Sequence, residues 1–459
     1  MRVRVLGSGH VGLITSMSMV SMGHDVIGCD VDERTVHLLE HGVVHFYEPG
    51  VREALVRLLP TGRLRFTSRP DEALSDAEVV VVCVGTPARQ GGETDLTAID
   101  SAARDIARWC SGKVVVAQKS TVPVGTSRRM EQVVAAERSR PDLEIEVVSC
   151  PEFLREANAM DDAMGPARIV VGSDSSWARE IIRRLYAPMV RNGAALIETD
   201  RETAELSKLA CNAFLALKIS FANALARVCE LSGADVVATA GIMGRDPRIG
   251  QSFLRAGLGF GGYCLPKDVA ALEKLAGRLG YDFGLLREVL KINDGALEAV
   301  AATVEGLLDG LEGRRIALLG LAFKPDTDDV RSAPALSLAR GFISAGASVV
   351  AFDPRAGKNA KREILELGLA QDPYAAAVGA DCLVICTEWA EFSRLDLSLI
   401  RTLMATPMVV DGRNLLDPAE VAASGLSYYP TGRPNEVRSQ GHLAGVGVYS
   451  EPQEVAKGQ

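Results

Sequence analysis

The stretch RVRVLGSGHVGLITSMSMVSMGHDVIGCD, Arg2 to Asp30, decides the fold. Arg2 to Leu6 alternates as a short strand. A turn, Gly7-Ser8-Gly9-His10-Val11-Gly12, follows, and then an apolar helix through Ile14, Met17 and Val20. A second strand, Asp25 to Cys29, ends in Asp30. Strand, Gly-rich turn, helix, strand and terminal acid, in that order, suit a dinucleotide. The glycines allow a tight turn and close approach to a pyrophosphate, and the helix N-terminus faces its charge. Asp30 is placed to accept from ribose hydroxyls and would repel a 2′-phosphate, which favours NAD over NADP. Gly7, Gly9, His10, Val11, Gly12 and Asp30 are the cofactor residues this reading supplies.

Downstream, Glu78 to Val84 is a nearly unbroken apolar run, as expected of a strand buried on both faces of a parallel sheet. It ends in Gly85-Thr86-Pro87. Val114 to Ala117 is another such strand, leading to Lys119-Ser120-Thr121-Val122-Pro123-Val124-Gly125-Thr126. Ser120 and Thr126 could simply cap the next helix, whereas Thr121 is the better candidate for a ligand or water contact. Glu144 to Ser149 leads to Cys150-Pro151-Glu152-Phe153-Leu154-Arg155-Glu156. Glu152 and Glu156 are four apart; on a helix they would share a face, where like charges cost a few tenths of a kcal/mol unless something uses them.

Thr199-Asp200-Arg201-Glu202 has capping-box spacing, and neither Pro nor Gly interrupts the chain from there to Leu231. Leu206, Leu209, Ala213, Leu217, Ser220, Ala224, Val228 and Leu231 make a stripe at helical spacing. A spine helix of roughly 45 Å is expected, suited to joining two domains or to a dimer seam. Lys208 and Asn212, four apart, meet on one of its faces. Local sequence leaves open whether they, and Lys218, are merely solvated. Arg248 stands in a loop before the segment Gly257-Leu-Gly-Phe-Gly-Gly-Tyr-Cys-Leu-Pro-Lys-Asp268. There Pro266 reads as the first position of a helix. Cys264 would lie just ahead of the helix N-terminus with Lys267 close by, and both effects favour the thiolate, the nucleophilic form. Asp268 is near enough to serve the same site.

Arg315 to Leu319, Ser348 to Phe352, Asp381 to Cys386 and Met408 to Val410 read as strands of a second doubly wound unit. Its second strand ends in Asp353, as that of the first unit ends in Asp30. Its first turn, Gly320-Leu-Ala-Phe-Lys324-Pro325, lacks the second and third glycines, so it should not take a dinucleotide in the same way. Lys324, and Arg413 in Asp411-Gly-Arg-Asn414, are cations suited to a diphosphate. Tyr428 and Tyr429 read as packing residues.

The chain has 459 residues and is too long for one core. The reading is an α/β protein with two Rossmann-like doubly wound domains joined by a long central helix. The expected divisions are 1–199, 200–312 and 313–435, with a tail at 436–459. Net charge is −9, which argues against nucleic acid or an anionic membrane as partner. No apolar run approaches the length of a membrane span, and Met1 leads directly into a strand rather than a leader. The nine cysteines are scattered, without CxxC pairs or zinc spacing. No metal site and a reducing cytoplasm are expected.

Taken together, GSGHVG at 7–12, YEPG at 47–50, VGTP at 84–87, KSTVPVGT at 119–126, PEFLRE at 151–156, GFGGYCLPKD at 259–268, GLAFKPDTDDVR at 320–331, TEWAEF at 387–392 and DGRN at 411–414 carry a resemblance from Arg2 to about Arg433. The chain resembles the nucleotide-sugar dehydrogenases, the UDP-glucose/GDP-mannose dehydrogenase family. TEWAEF, DGRN and GGYCLPKD look like its UDP-glucose branch. The resemblance implies oxidation of the primary alcohol of UDP-glucose to the carboxylate of UDP-glucuronate, with two NAD used in turn. Cys264 would hold the aldehyde as a thiohemiacetal and then as a thioester. Lys208 and Asn212 would stabilise the oxyanion. Thr121, Glu152 and Asp268 would position or deprotonate water, with Glu156 facing the same site. Thr86, Thr121, Glu156 and Lys267 join the cofactor contacts. Glu152, Phe153, Leu154, Lys208, Asn212, Arg248, Phe260, Gly261, Lys324 and Arg413 are the substrate contacts so implied, with Arg248 reaching the sugar across a homodimer interface.

There are departures from the family's pattern. Cys150 replaces the usual Asn or Ser, Ala157 stands where Gly is common, and His45-Phe46 replaces a proline-containing approach to YEPG. The residues before the thiol lack a proline or aromatic often seen there. None removes a chemical group the reaction needs. A dehydrogenase for GDP-mannose or another UDP-sugar would share the mechanism. A non-catalytic nucleotide-sugar sensor would lack Cys264, Lys208 or Asp268, and a one-step hydroxyacid-type dehydrogenase needs no thiol.

Overall fold

Val79–Val82 carries four valines in a row, all buried. Successive side chains point to opposite faces of a strand, so Val79 and Val81 enter one apolar layer while Val80 and Val82 enter the other. The computed structural model describes residues 1–434. In it these valines form a central strand of an eight-stranded sheet. The strands are β1 (Arg2–Leu6), β2 (Asp25–Cys29), β3 (Leu64–Thr67), β4 (Val79–Val82), β5 (Lys113–Gln118), β6 (Glu144–Ser149), β7 (Arg168–Gly172) and β8 (Ala195–Thr199). Their order is β3-β2-β1-β4-β5-β6-β7-β8. The first six run parallel; β7 meets β6 antiparallel at Ser149 and Gly172. Strand order reverses between β1 and β4, and the crevice beyond the carboxyl ends at such a point is where α/β sheets take ligands.

A second sheet holds β9 (Arg315–Leu319), β10 (Ser348–Phe352), β11 (Gly368–Leu369), β12 (Cys382–Ile385), β13 (Met408–Asp411) and β14 (Ser427–Pro430). Its order is β11-β10-β9-β12-β13-β14, all parallel. Apolar layers cover both of its faces. Asp353, at the end of β10, is turned inward: its Oδ2 accepts from the amides of Leu321 at 2.7 Å and Ala322 at 3.0 Å. Asp353 is thus committed to the first turn of its own domain. Tyr428 lies on β14, and its hydroxyl donates to buried Asp411 at 2.9 Å.

Between the sheets runs the spine helix, Arg201–Ser232, 32 residues long. Its cap is Asp200, which accepts from the Thr203 amide at 2.7 Å. Thr199, which the capping-box spacing had suggested, is instead the last residue of β8. Leu209, Ala213 and Ala216 on this helix pack with Val269, Leu272 and Leu275 of helix Cys264–Arg278 and with Leu286 and Val289 of helix Gly284–Leu308. The expected stripe divides. Leu209, Ala213 and Ser220 are buried, whereas Leu206, Val228 and Leu231 are exposed together with Phe214 and Phe221. Lys208 and Asn212 fall on the buried face. Among the described residues this is the one helix long and apolar enough, by length and composition alone, to cross a membrane. The expected tail lies outside the described residues.

Candidate active site

A cavity of about 670 Å³ opens at the β1/β4 crevice and runs from Asp30, Val31 and Pro70 at one end to Tyr263, Cys264, Lys267 and Arg331 at the other. Gly7, Gly9, His10 and Val11 line it near β1, and Thr86 and Thr121 line it beyond β4. No atom lies within 4 Å of where a Cβ on Gly9 would be, which leaves backbone open to a pyrophosphate at the start of helix His10–Ser21. Gly12 is needed for packing instead, because its Cβ would sit 1.8 Å from the Gly7 carbonyl oxygen. Asp30 is pre-oriented by the amides of Ser8 at 2.6 Å and Asp32 at 3.0 Å. The Asp30 end presents no cation on its walls, and nearby Arg69 is tied to Asp71 and Glu72. That chemistry fits ribose hydroxyls and not a 2′-phosphate.

Cys264 is the first residue of helix Cys264–Arg278, two positions earlier than the proline suggested. Around it stand two buried pairs. Lys208 Nζ lies 3.1 Å from Glu152 Oε1, and Lys267 Nζ lies 2.5 Å from Asp268 Oδ1. Asn212 donates from Nδ2 to Asp268 Oδ2 at 2.6 Å. Spine helix, thiol helix and the loop after β6 thus converge on one point. Thr121 supplies its carbonyl to the Thr86 hydroxyl at 2.9 Å, which ties together the two loops flanking the crevice.

The thiol is not lowered as its place at a helix N-terminus suggests. Desolvation pushes Cys264 up to about 11; Lys208 opposes, while Asp268 and Glu152 add to the rise and Lys267 opposes more weakly. Both ammonium groups are paired with carboxylates, which offsets part of their field at the sulfur. Burial alone would raise Glu152, but Lys208, the Leu154 amide and Lys119 hold it below the ordinary range. Lys208 is desolvated, yet the charges of Glu152, Cys264 and Asp268 keep its pKa above the usual value. Burial raises Glu156, against a hydrogen bond from Thr327.

The second domain closes on this site. Thr327 donates to Glu156 Oε1 at 2.5 Å, Lys324 donates to the Glu156 carbonyl, and desolvation lowers Lys324. Arg331 lies over the Tyr263 ring at 4.4 Å. Arg413 donates to the carbonyls of Cys386 at 2.7 Å and Gly259 at 3.3 Å. Gly261 packs under Ser332, whose backbone carbonyl oxygen would lie 2.3 Å from an added Cβ, and the Phe260 side chain belongs to the core beneath the thiol. The Phe153 ring carries the Arg168 guanidinium at 3.9 Å, and Leu154 lines a smaller cavity behind Glu152. Arg248 is not among the cleft residues; its side chain is 87% exposed and paired with Asp246. Sequence reasoning passed over Tyr263, Arg331, Lys119, Cys83 and Asp105, all of which line the cleft. Among the described residues no group of three or more His, Cys, Asp or Glu could hold a metal ion.

Three sequence models of the UDP-glucose/GDP-mannose dehydrogenase family match: its NAD binding domain at residues 1–190, its central domain at 202–295 and its UDP binding domain at 317–418. The chain belongs to this family. NAD is accordingly the cofactor of the β1/β4 cleft. The chain is 42% identical to a UDP-glucose 6-dehydrogenase of Rhizobium meliloti over 95% of its length and 100% of the relative's. It is 43% identical to one of Pseudomonas aeruginosa, covering 95% and 98%. A UDP-glucose dehydrogenase structure from Pyrobaculum islandicum superposes with a TM-score of 0.88 at 35% identity, covering 94% of this chain and 98% of that one.

Proposed function

We propose that this chain oxidises UDP-glucose to UDP-glucuronate in two NAD-dependent steps. The observation that carries the reading is the convergence of Lys208, Asn212, Glu152 and Asp268 on Cys264 at one end of the cofactor cleft. NAD supplies the acceptor for one hydride in each oxidation. The thiol adds to the C6 aldehyde, forming a carbon–sulfur bond, and its proton passes to Asp268. The resulting alkoxide is stabilised by the Lys208 ammonium and the Asn212 amide, donors that need no reorganisation. Loss of a second hydride leaves a thioester on Cys264. Water held by Thr121 and Glu152 attacks that carbonyl, and the carbon–sulfur bond breaks to return the thiol and release the carboxylate. Glu156 sits between the cofactor cleft and the second domain, where Lys324 and Arg413 take the diphosphate. Phe153 and Leu154 follow Glu152 in the chain, and Phe260 and Gly261 back the thiol from the core and from the turn beneath Ser332.

A homodimer completes this reading. Phe214, Leu217, Phe221, Ala224, Val228 and Leu231 follow an alternating three and four spacing along the outer face of the spine helix, the repeat of a helix–helix seam. Arg248, exposed beyond the spine, reaches the sugar site of the partner copy. All nine cysteines are free thiols, which supports a reducing, cytoplasmic setting. The deciding measurement is NADH formed per sugar with purified protein and a panel of UDP- and GDP-sugars. Two NADH per UDP-glucose are expected. One NADH per sugar, or turnover of GDP-mannose alone, would overturn the proposal.

A further inference from the structure

Four carboxylates line the cofactor cleft: Asp30, Asp105, Glu152 and Glu156. Three have partners. Asp30 holds two backbone amides, Glu152 holds Lys208, and Glu156 holds Thr327. Asp105 has no hydrogen-bond or ion-pair partner among the described residues. It is nevertheless partly buried, and that desolvation pushes its carboxyl above the usual range, with Arg108 only opposing at a distance. A half-buried carboxylate without a donor is costly, so a donor from outside the chain is the natural complement.

Its position says which donor. Asp105 belongs to helix Thr97–Trp109. Ala98, Ser101, Ala102 and Asp105 all line the cleft, and their spacing puts them on one face of that helix. Val31 and Pro70, just past the Asp30 that faces the ribose, line the same cleft. Small side chains on the helix and apolar ones beside Asp30 suit a flat base, and Asp105, whose charge is felt at Cys29 together with that of Asp30, is the free acceptor among them. We propose that Asp105 reads the adenine of NAD by accepting a hydrogen bond from the exocyclic amine, and so disfavours a cofactor whose base carries a carbonyl there. Adenine presents a donor at that position, and hypoxanthine presents an oxygen that a carboxylate repels. The inference concerns the cofactor alone and is independent of which sugar nucleotide is oxidised.

The test is calorimetric titration of the full chain with NADH and with its hypoxanthine analogue, deamino-NADH, without sugar. A lost hydrogen bond to a charged group is worth about tenfold or more in affinity, so the wild-type protein should bind NADH at least about tenfold more tightly. In Asp105→Asn the amide can donate to the hypoxanthine oxygen, and the preference should fall to about one or reverse. Asp105→Ala should also abolish the preference, with no gain for the analogue. An unchanged ratio in both variants overturns the proposal. So does an equal loss of affinity for both cofactors, which would place Asp105 on the ribose, a group the two share.

Discussion

Replacing Asp268 by Asn should activate the thiol while stopping the enzyme. Asp268 is buried, bonded through Oδ1 to Lys267 and through Oδ2 to Asn212, and its charge helps hold Cys264 at about 11. At pH 8 such a thiol is ionised in roughly one molecule in a thousand. The Asn side chain keeps the shape and an oxygen that can accept from Asn212. It removes one negative charge from the neighbourhood of the sulfur and leaves the Lys267 ammonium without its partner. Both changes favour the thiolate, and the loss of one nearby like charge is worth about tenfold. Because the wild-type pKa is raised, alkylation by iodoacetamide should climb with pH until near 11. A lowered pKa increases the rate at pH 8 and bends the profile over earlier. The Cys264 peptide followed by mass spectrometry should therefore be alkylated about tenfold faster in the variant at pH 8, whereas NADH production from UDP-glucose collapses for want of a proton acceptor. Alkylation at the wild-type rate or slower would refute the electrostatic account.

Lys208→Met leaves Glu152 buried without its cation, a loss of about 3–5 kcal/mol in urea unfolding, and adding Glu152→Gln should recover part of it. The Glu156 carboxyl is raised by burial, so its ionisation costs stability above its folded pKa, and that cost fades as pH falls through it. Glu156→Gln should then raise Tm at pH 8 relative to the wild-type chain and give no gain at pH 4. Ala157 sits at φ +66°, where a side chain is strained. Ala157→Gly should stabilise by up to about 1 kcal/mol, read as a higher Tm. Phe221→Glu places a charge on the outer face of the spine helix and should convert a dimer to a monomer by light scattering, with an unchanged mass arguing against the seam.

The elements that were legible in the chain are those with two-sided burial or turn chemistry. β1, β2, β6, β9 and β10 stand where alternation, valine runs and terminal acids place them. β3 and β11 are short, with little alternation to read. β7 and β8 form a parallel pair of their own that joins the sheet through one antiparallel contact at Ser149 and Gly172, and sequence reasoning passed over both. The Lys208–Asn212 face was legible as a spacing, but its burial depends on helices that lie far along the chain. The thiol shows the same boundary more sharply. Helix N-terminus and Lys267 are local features and point towards a low pKa. Glu152 arrives from another domain, and the pairing of Lys267 with Asp268 is a matter of side-chain geometry, so the opposite outcome was invisible. Asp105 did leave a signal in the small-residue face it shares with Ala98 and Ala102. Arg331 left only its charge, because Tyr263 is brought to it by domain packing.

Holding Cys264 at about 11 also bears on how long the enzyme survives in air. Peroxide attacks thiolates rather than thiols, and sulfinic or sulfonic products are beyond ordinary rescue. A nucleophile kept protonated chiefly by desolvation, with Asp268 and Glu152 adding to the rise, ages slowly between turnovers, although it is open to the cleft. Desolvation, reinforced by the two acids, acts as an antioxidant shield, and a variant that lost the acids would trade part of that working lifetime for nucleophilicity.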